Sequence, residues 1–433
     1  KIQTREPKPL HEVRLIDPAC GSGNFLLYAF DFFYELYLDQ IENYGAEYDE
    51  AEISKLIIEN NLHGIDLDDR AVQLAQLGLF IKAKKRRRTI GELKFKVVSS
   101  DFFLPEYEEV QEIFESQVGT EGHQLDDNQK ELIRDIWGDL KYAYKFGSLI
   151  PIGERLNARL QDLEAKLNRE QRELFTHDEI EEHEAFAVTF FEKLKIAVEQ
   201  YTRTESNTFL TSKTHDAITF LELLTTRYDV ATTNPPYTDS DDFGSELKSF
   251  IEENYKKPYK FNTNLYATFI KRCYDLTMEG GKIALIHPRT FMFIKSFEGV
   301  RKFILDKTHI NVFVDYSLSN LFGTIMVDPA LYVLDKNSSE DYAWFVSLDQ
   351  YTRTPNEKFK KDFCLQALDD YVTGVENEHN CIIAQSKLKI IKSWPFIYWI
   401  SDDFRKKFEA QTIGNVVDVA LGLKTANNNK YLR

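Results

Sequence analysis

The stretch VATTNPPYTDS at residues 230–240 places an asparagine, two prolines and a tyrosine directly after an apolar run. The run YDVATT predicts a buried strand, and the prolines cannot continue it because proline lacks the N–H donor of a strand interior. We therefore expect a rigid loop at the carboxyl end of a strand, which is where ligands bind in open α/β sheets. Asn-Pro is also ordinary turn chemistry, so this stretch alone leaves a simple turn open.

Three earlier segments end predicted strands in acidic residues. Asp17 ends the first strand and is followed by Gly21 and Gly23, which allow a tight turn and a close approach of the backbone to a ligand. Asp66 ends a second strand, LHGID, and Asp101 follows a third, KFKVVSS. The pattern GxGxxG is absent, and an acid before the glycine turn suits a positively charged or polar ligand better than a pyrophosphate.

These acids predict a nucleoside site. Asp66 is placed to accept hydrogen bonds from ribose hydroxyls, and Asp101 could accept one from an exocyclic amino group. A nucleoside with a cationic group and no phosphate would suit such a cleft, and S-adenosylmethionine is such a molecule. The plainer alternative for Asp17, Asp66 and Asp101 is that they cap helices, and Cys20 fits a small packed residue better than a nucleophile.

Strands and amphipathic helices alternate around these acids, which predicts an α/β fold with a parallel, doubly wound sheet. After residue 226 the sheet resumes, with a helix over 264–281 ended by Gly280 and Gly281, a strand at 282–288 and a helix at 297–305. The segments INVFVDYS and PALYVLDK are expected to be the last strands, paired antiparallel.

The intervening region is charged and poor in strand signals, and its pattern predicts helices, with a long amphipathic helix at 155–174. We interpret it as a helical insertion between two halves of one sheet. The predicted first half of the sheet domain, with the cofactor motifs, is 1–104, and the helical insertion is 105–225. The second half, with NPPY, is 226–340. Residues 341–433 are predicted to be a connecting region and the start of a target-recognition domain.

The composition of the 433 residues is that of a soluble globular protein, with 43% hydrophobic and 29% charged residues. The four cysteines lack metal-type spacing, and neither a signal peptide nor an apolar run of membrane-spanning length is present, which favours the cytoplasm. The net charge of −16 argues against a surface that binds nucleic acid everywhere, but leaves room for a local basic cleft. The chain begins at Lys1, and we expect further sequence on both sides.

The motifs DPACGSGNF, GIDLD, SDFF and NPPY, in this order, resemble the gamma class of amino-methyltransferases that act on adenine in DNA. The segments NNLHGIDLDDRAVQLAQLGLFIKAK, FGSLI, HPRTFMFIKSFEGVRKFIL and VALGLKTANNNKYLR are similar to the PglX family of bacterial BREX phage-exclusion systems. The resemblance covers roughly 12–104 and 226–335. It implies a Rossmann-like methyltransferase fold that uses S-adenosylmethionine, with double-stranded DNA as partner, and other phage-defence subunits or a phage-encoded inhibitor as further candidates.

The resemblance also implies a role for each motif residue. Asn234 and Pro235 would accept the two N6 hydrogens of a flipped adenine, with Tyr237 and Phe322 stacking on the base. Phe322 could equally be core packing. The predicted catalytic residues are Asn234, Pro235, Pro236 and Tyr237, and the predicted cofactor-binding residues are Asp17, Pro18, Ala19, Cys20, Gly21, Gly23, Asn24, Phe25, Asp66, Leu67, Asp101 and Phe102; no metal site is predicted.

Other functions remain open at this point. The nearest is the modification subunit or domain of a type I or type IIG restriction enzyme. A protein-glutamine methyltransferase would use the same NPPY chemistry, although such enzymes are small and lack a large insertion. A methyltransferase fold that only binds is a third class, which the intact NPPY disfavours. The basic run KAKKRRR at 82–88 fits either a solvated helix end or a phosphate contact.

Overall fold

The computed structural model describes residues 8–102, 107–108, 127–155, 158, 208–316, 328–336, 341–348, 357–375, 377 and 379–410. A single nine-stranded sheet runs through them in the order β3-β2-β1-β4-β5-β7-β6-β8-β9. The strands are β1 Leu15–Asp17, β2 Leu62–Asp66, β3 Lys96–Ser99, β4 Tyr228–Thr233, β5 Thr277–Pro288, β6 Thr308–Asp315, β7 Pro329–Lys336, β8 Tyr342–Ser347 and β9 Asn380–Ala384.

The first five strands of this order, β3 to β5, pair in parallel, which confirms the predicted doubly wound sheet. β7 runs antiparallel to both β5 and β6, so the predicted antiparallel pair of β6 and β7 is also confirmed. These two are not the last strands, however, because β8 pairs in parallel with β6 and β9 pairs antiparallel with β8. The sheet therefore continues past residue 340.

Helices cover both faces of the sheet. They are α1 Asn24–Tyr44, α2 Ile53–Leu56, α3 Asp69–Arg86, α4 Asp127–Leu140, α5 Ala143–Phe146, α6 Thr208–Thr225, α7 Ser245–Tyr255, α8 Leu265–Leu276, α9 Glu298–Lys307, α10 Glu357–Thr373 and α11 Asp402–Lys406. Neighbouring strand residues point to opposite faces. Val97 accordingly lies in one hydrophobic cluster with residues of α1 and α3, whereas Val98 lies in the other cluster, on the face that α6 covers. Both faces of β3 are thus buried, as in a doubly wound fold.

The predicted helix over 264–281 ends early, at Leu276. Thr277 is extended, and its hydroxyl donates to the carbonyl of Cys273, which closes the last turn. β5 begins at the same residue, so Gly280 and Gly281 lie within a strand and do not end the helix. A Cβ on Gly281 would lie 2.8 Å from the carbonyl oxygen of Asp229, so this glycine allows β5 to approach the start of β4.

The described parts of the predicted insertion are helical: α4, α5 and α6 lie there, and the described residues between β3 and β4 contain no strand. The helix predicted at 155–174 lies outside the described residues, apart from its first position and residue 158. The division of the chain at 104, 225 and 340 stays a prediction.

A buried arginine connects this region to helix α8. Arg272 on α8 is fully buried; its Nε donates to the carbonyl of Ser148 at 2.5 Å and its Nη1 to Glu154 at 2.7 Å. Although burial opposes it, Arg272 and Arg227 hold the pKa of the Glu154 carboxyl below its usual range. The segment after α5 is therefore held against α8 by one ionic and one backbone contact.

We expect Arg272→Met to lower the free energy of unfolding by about 3 kcal/mol or more, because Glu154 loses a buried partner and the Ser148 carbonyl loses its donor. The matched control is Lys302→Met, since Lys302 pairs with Glu298 one turn away in a partly solvated setting, at 2.8 Å. This control should cost about 0.5 kcal/mol or less. Denaturant titration checks both, and equal, small losses would contradict the anchoring role.

Candidate active site

The site lies where the strand order reverses. β1 pairs in parallel with β2 on one side and with β4 on the other, although about two hundred residues separate β1 from β4 in sequence. Clefts at such a switch point are the ligand sites of open α/β sheets. The turn after Asp17 and the loop that begins at Asn234 therefore leave neighbouring strands side by side, as the motifs predict.

Asp17 lies beneath the turn that it starts. Its side chain is buried, and Oδ1 accepts a hydrogen bond from the N–H of Ala19 at 3.1 Å. Burial raises the pKa of the Asp17 carboxyl to about 7, against the hydrogen bonds of Thr233 and Ala19 and with a smaller contribution from Asp66. Asp17 is thus no helix cap, and a nearby cation would favour its ionised form.

The glycine turn is shaped by packing and by Asp66. Gly23 has φ +82°, and a Cβ on it would lie 2.7 Å from the Cβ of Ala75 on α3, so its close approach is to a helix. Gly21, with φ +51°, has open space around its Cβ position. Its N–H donates to Asp66 Oδ2 at 2.8 Å, while Asp66 Oδ1 accepts from the N–H of Asp68 at 3.0 Å. Asp66 therefore joins the ends of β1 and β2, and Asp68 caps α3.

A cavity of about 410 Å³ opens at these strand ends. Its walls are formed by Pro18, Ala19, Asp66, Leu67, Lys145, Phe146, Gly147, Ser148, Leu149, Asn234, Pro236, Leu247, Leu265 and Phe269. Residues of the predicted cofactor loops and of NPPY thus share one cavity. Its size lies within the range of small-molecule sites.

The other predicted residues that the structure describes are not among the walls of this cavity. Cys20 is buried, and burial raises the pKa of its thiol, which fits packing. Phe102 packs edge-to-face on Phe220 of α6, with ring centroids 5.2 Å apart, so its ring belongs to the core. Asp101 is exposed, and Phe322 lies outside the described residues. The other residues off the walls are Asp17, Gly21, Gly23, Asn24, Phe25, Pro235 and Tyr237.

Residues 145–149, which we name the roof segment, close the cavity above the strand ends. The Ser148 hydroxyl donates to the carbonyl of Pro18 at 2.5 Å, and the Tyr255 hydroxyl donates to the carbonyl of Leu149 at 2.6 Å. Phe146 stacks on Phe250 of α7 with ring centroids 4.0 Å apart. The FGSLI motif marked this segment in the sequence without indicating its place. Leu247, Leu265 and Phe269 carried no local signal at all, since apolar helix residues are usually core.

The NPPY loop, residues 234–240, borders the cavity through Asn234 and Pro236. Asn234 and Pro236 are exposed, whereas Pro235 is buried. The Tyr237 hydroxyl donates to Asn234 Oδ1, a contact that the sequence did not predict. Burial raises the pKa of Tyr237 to about 12, so the hydroxyl remains a donor at neutral pH. An amide oxygen has two lone pairs, and one of those on Asn234 remains available to a ligand.

The charges of the walls suit a cation better than a phosphate. Lys145 is the one cationic residue among the described wall residues, and its ammonium already pairs with Glu246 at 2.8 Å. Asp66 supplies a carboxylate, and most other wall residues are apolar. Within the described ranges, no His, Cys, Asp or Glu cluster could hold a metal ion. No described helix combines the length and apolar character needed to span a membrane.

The basic run at 82–88 pairs with neighbouring acids. Lys82 contacts Asp31 on α1, and Arg86 lies 3.7 Å from Glu35 and over the ring of Tyr34. These contacts favour a helix end packed against α1 over a phosphate site, because the charges are already matched in part.

Two family models match the sequence. That of the Eco57I restriction-modification methylase covers residues 60–322, and that of the MmeI DNA-methyltransferase domain covers residues 4–114. Together they include the glycine turn, both later acids and the NPPY loop. Among solved structures, a nuclease-deletion mutant of the Type ISP restriction-modification enzyme LlaGI with a DNA substrate mimic covers 91% of this chain and 25% of its own, at 13% identity and a TM-score of 0.46.

Curated relatives match most or all of the chain at low identity. The adenine-specific methyltransferase PglX of Lacticaseibacillus casei is 25% identical over all of this chain and 32% of its own length. The adenine-specific methyltransferase BrxX of Escherichia coli O9:H4 is 27% identical over 92% of this chain and 30% of its own length. The chain therefore spans about a third of each relative. Because the family model at residues 60–322 covers more than half of the sequence, the chain belongs to the Eco57I restriction-modification methylase family.

Proposed function

We propose that the protein transfers a methyl group from S-adenosylmethionine to the N6 amino group of an adenine flipped out of double-stranded DNA, in a phage-defence (BREX) or restriction-modification system. The observation that carries this proposal is the shared cavity: Asp66, at the end of β2, and Asn234, directly after β4, both line it. Family membership and fold imply the methyl donor. The adenine target follows from the NPPY motif and the names of the relatives.

The residues present fit S-adenosylmethionine. Gly21 leaves open space where another residue would carry a Cβ, and Asp66 keeps lone pairs beyond its two backbone contacts. Leu67 and Phe146 supply apolar wall on which a purine could lie. When bound, the cofactor supplies an electrophilic sulfonium methyl group with a positive charge. The Asp17 carboxyl, with its pKa near 7, would gain ionised population beside that charge.

The NPPY loop performs the other half of the chemistry. The lone pair of adenine N6 is delocalised into the ring, which makes the amino group a poor nucleophile. Asn234 Oδ1 and the backbone carbonyl of Pro235 accept hydrogen bonds from its two N–H groups and draw the nitrogen towards tetrahedral geometry. Positioning and hydrogen bonding then free the lone pair without a covalent intermediate. The Tyr237 hydroxyl fixes the amide so that its oxygen is the acceptor, and the Tyr237 ring stacks on the flipped base.

Asp66→Ala should weaken S-adenosylmethionine binding at least about tenfold, or about 1.4 kcal/mol, because it removes a charge-assisted acceptor and the support of the glycine turn. The matched control is Asp69→Ala, since the Asp69 carboxylate accepts from Gln73 on α3 and does not line the cavity. The affinity of Asp69→Ala for S-adenosylmethionine should stay within about twofold of that of the parent protein. Calorimetric titration of the full-length protein measures both, and an unchanged affinity for Asp66→Ala would remove this residue from the site.

Asn234→Ala should abolish N6-methyladenine formation while the affinity for S-adenosylmethionine stays within about twofold. Tyr237→Ala should reduce the rate less severely, because stacking supplies about 1–3 kcal/mol. Tyr237→Phe keeps the ring and loses one hydrogen bond, so we expect a loss of about fivefold at most. The assay is tritiated-methyl transfer to DNA by the full-length protein with any obligatory partners. Methylation by Asn234→Ala at the parent rate would show that NPPY is a structural turn.

A further inference from the structure

The NPPY loop is held at both of its ends. At the first, Thr233 is fully buried and paired with Leu285 of β5. At the second, Asp239 forms an isolated antiparallel bridge with Asn264, just before α8. The N–H of Leu265 donates to the carbonyl of Thr238 at 2.9 Å, which extends the same contact. The proposed acceptor residues, Asn234 and Pro235, therefore lie in the short segment between the contacts of Thr233 and those of Asp239.

The side chain of Asn264 performs two tasks at the second point. Its Oδ1 accepts from the N–H of Tyr266 at 3.1 Å and so caps α8. Its Nδ2 donates to Asp239 Oδ1 at 2.6 Å. Asn264 is 4% exposed and its contact with the N–H of Tyr266 is buried, whereas its contact with Asp239 is partly buried because Asp239 is exposed. The next residue, Leu265, is a wall of the cavity together with Asn234. One asparagine thus connects the catalytic loop, the helix start and the cavity wall.

We propose that Asn264 is a positioning residue for methyl transfer: through Asp239 it sets the place of the NPPY loop relative to the cavity. The inference rests on the proposed function of that loop. Positioning matters because a misplacement of about 1 Å at a reacting centre costs on the order of a hundredfold in rate. Asn264 is not a wall residue of the cavity, so its loss should lower kcat and leave cofactor binding intact.

A capping role and a positioning role can be separated, because aspartate caps helices as well as asparagine does. Asn264→Asp keeps the acceptor for the N–H of Tyr266, removes the donor to Asp239 and brings two carboxylates together. Asn264→Ser also keeps a capping oxygen and removes the donor, without the added charge. The double variant Asn264→Asp with Asp239→Asn exchanges donor and acceptor and restores the hydrogen bond in the opposite direction.

The full-length protein is assayed for adenine methylation, for S-adenosylmethionine affinity and for hydrogen exchange of the backbone amides at 238–240 and 265. Asn264→Asp and Asn264→Ser should each lower kcat at least about tenfold and speed exchange at these amides, with cofactor affinity within about twofold. The double variant should return kcat to within about threefold of the parent protein. The proposal would be overturned if Asn264→Asp and Asn264→Ser kept the kcat of the parent protein. It would also be overturned if the double variant were as slow as Asn264→Asp.

Hydrogen exchange separates failure of this inference from failure of the proposed function. One outcome is that Asn264→Asp speeds exchange and the double variant reverses this change, but neither the parent protein nor any variant methylates adenine. That outcome would refute the proposed function and, with it, the catalytic role of the contact. Unchanged exchange with an active parent protein would refute the Asn264 proposal alone.

Discussion

The parallel pairing of β1 with β4 is the constraint on which the candidate site depends. Ile16 lies opposite Ala231, so the chain leaves both strands at nearly the same level of the sheet. The glycine turn follows one strand and the NPPY loop follows the other. Neither loop could form the site alone, since Pro18 and Ala19 of the first and Asn234 and Pro236 of the second line the same cavity. Pairing of these strands brings together groups that are far apart in sequence.

Contacts from the helices turn this edge of the sheet into a cavity. The roof segment reaches the glycine turn through Ser148 and is held from behind by Arg272, which is fully buried on α8. The start of the same helix holds the NPPY loop through Asn264. α8 and its first cap residue therefore hold both the roof segment, which reaches the glycine turn, and the NPPY loop. A helix between two such contacts gives the site a fixed geometry, which catalysis by positioning requires.

Local patterns were sufficient for the elements that carry the motifs. The strands ending near Asp17, Asp66 and Asn234 were predicted from apolar runs stopped by acids or prolines, and they lie in the predicted sheet. The pattern could not show that Asp17 is buried beneath its turn, or that Gly23 meets Ala75, because both depend on contacts with distant elements.

Other features of the site could not be predicted from the sequence for the same reason. The walls at Leu247, Leu265 and Phe269 come from apolar helix residues, which have the same spacing whether they face a core or a cavity. The end of α8 was misplaced because Gly280 and Gly281 resemble a helix end, whereas pairing of Thr277 beside Tyr228 starts β5 sooner. Tertiary pairing outweighed a local glycine signal there.

The most direct measurement of the central claim is methylome sequencing of cells with and without the full-length gene. Adenine chemistry at NPPY predicts N6-methyladenine at a defined sequence motif in cells that carry the gene, and its absence from the same motif in cells that lack it. Identical adenine methylation in the two strains, with the protein and its obligatory partners expressed, would contradict the claim. Gene-dependent methylation of cytosine in place of adenine would contradict it as well.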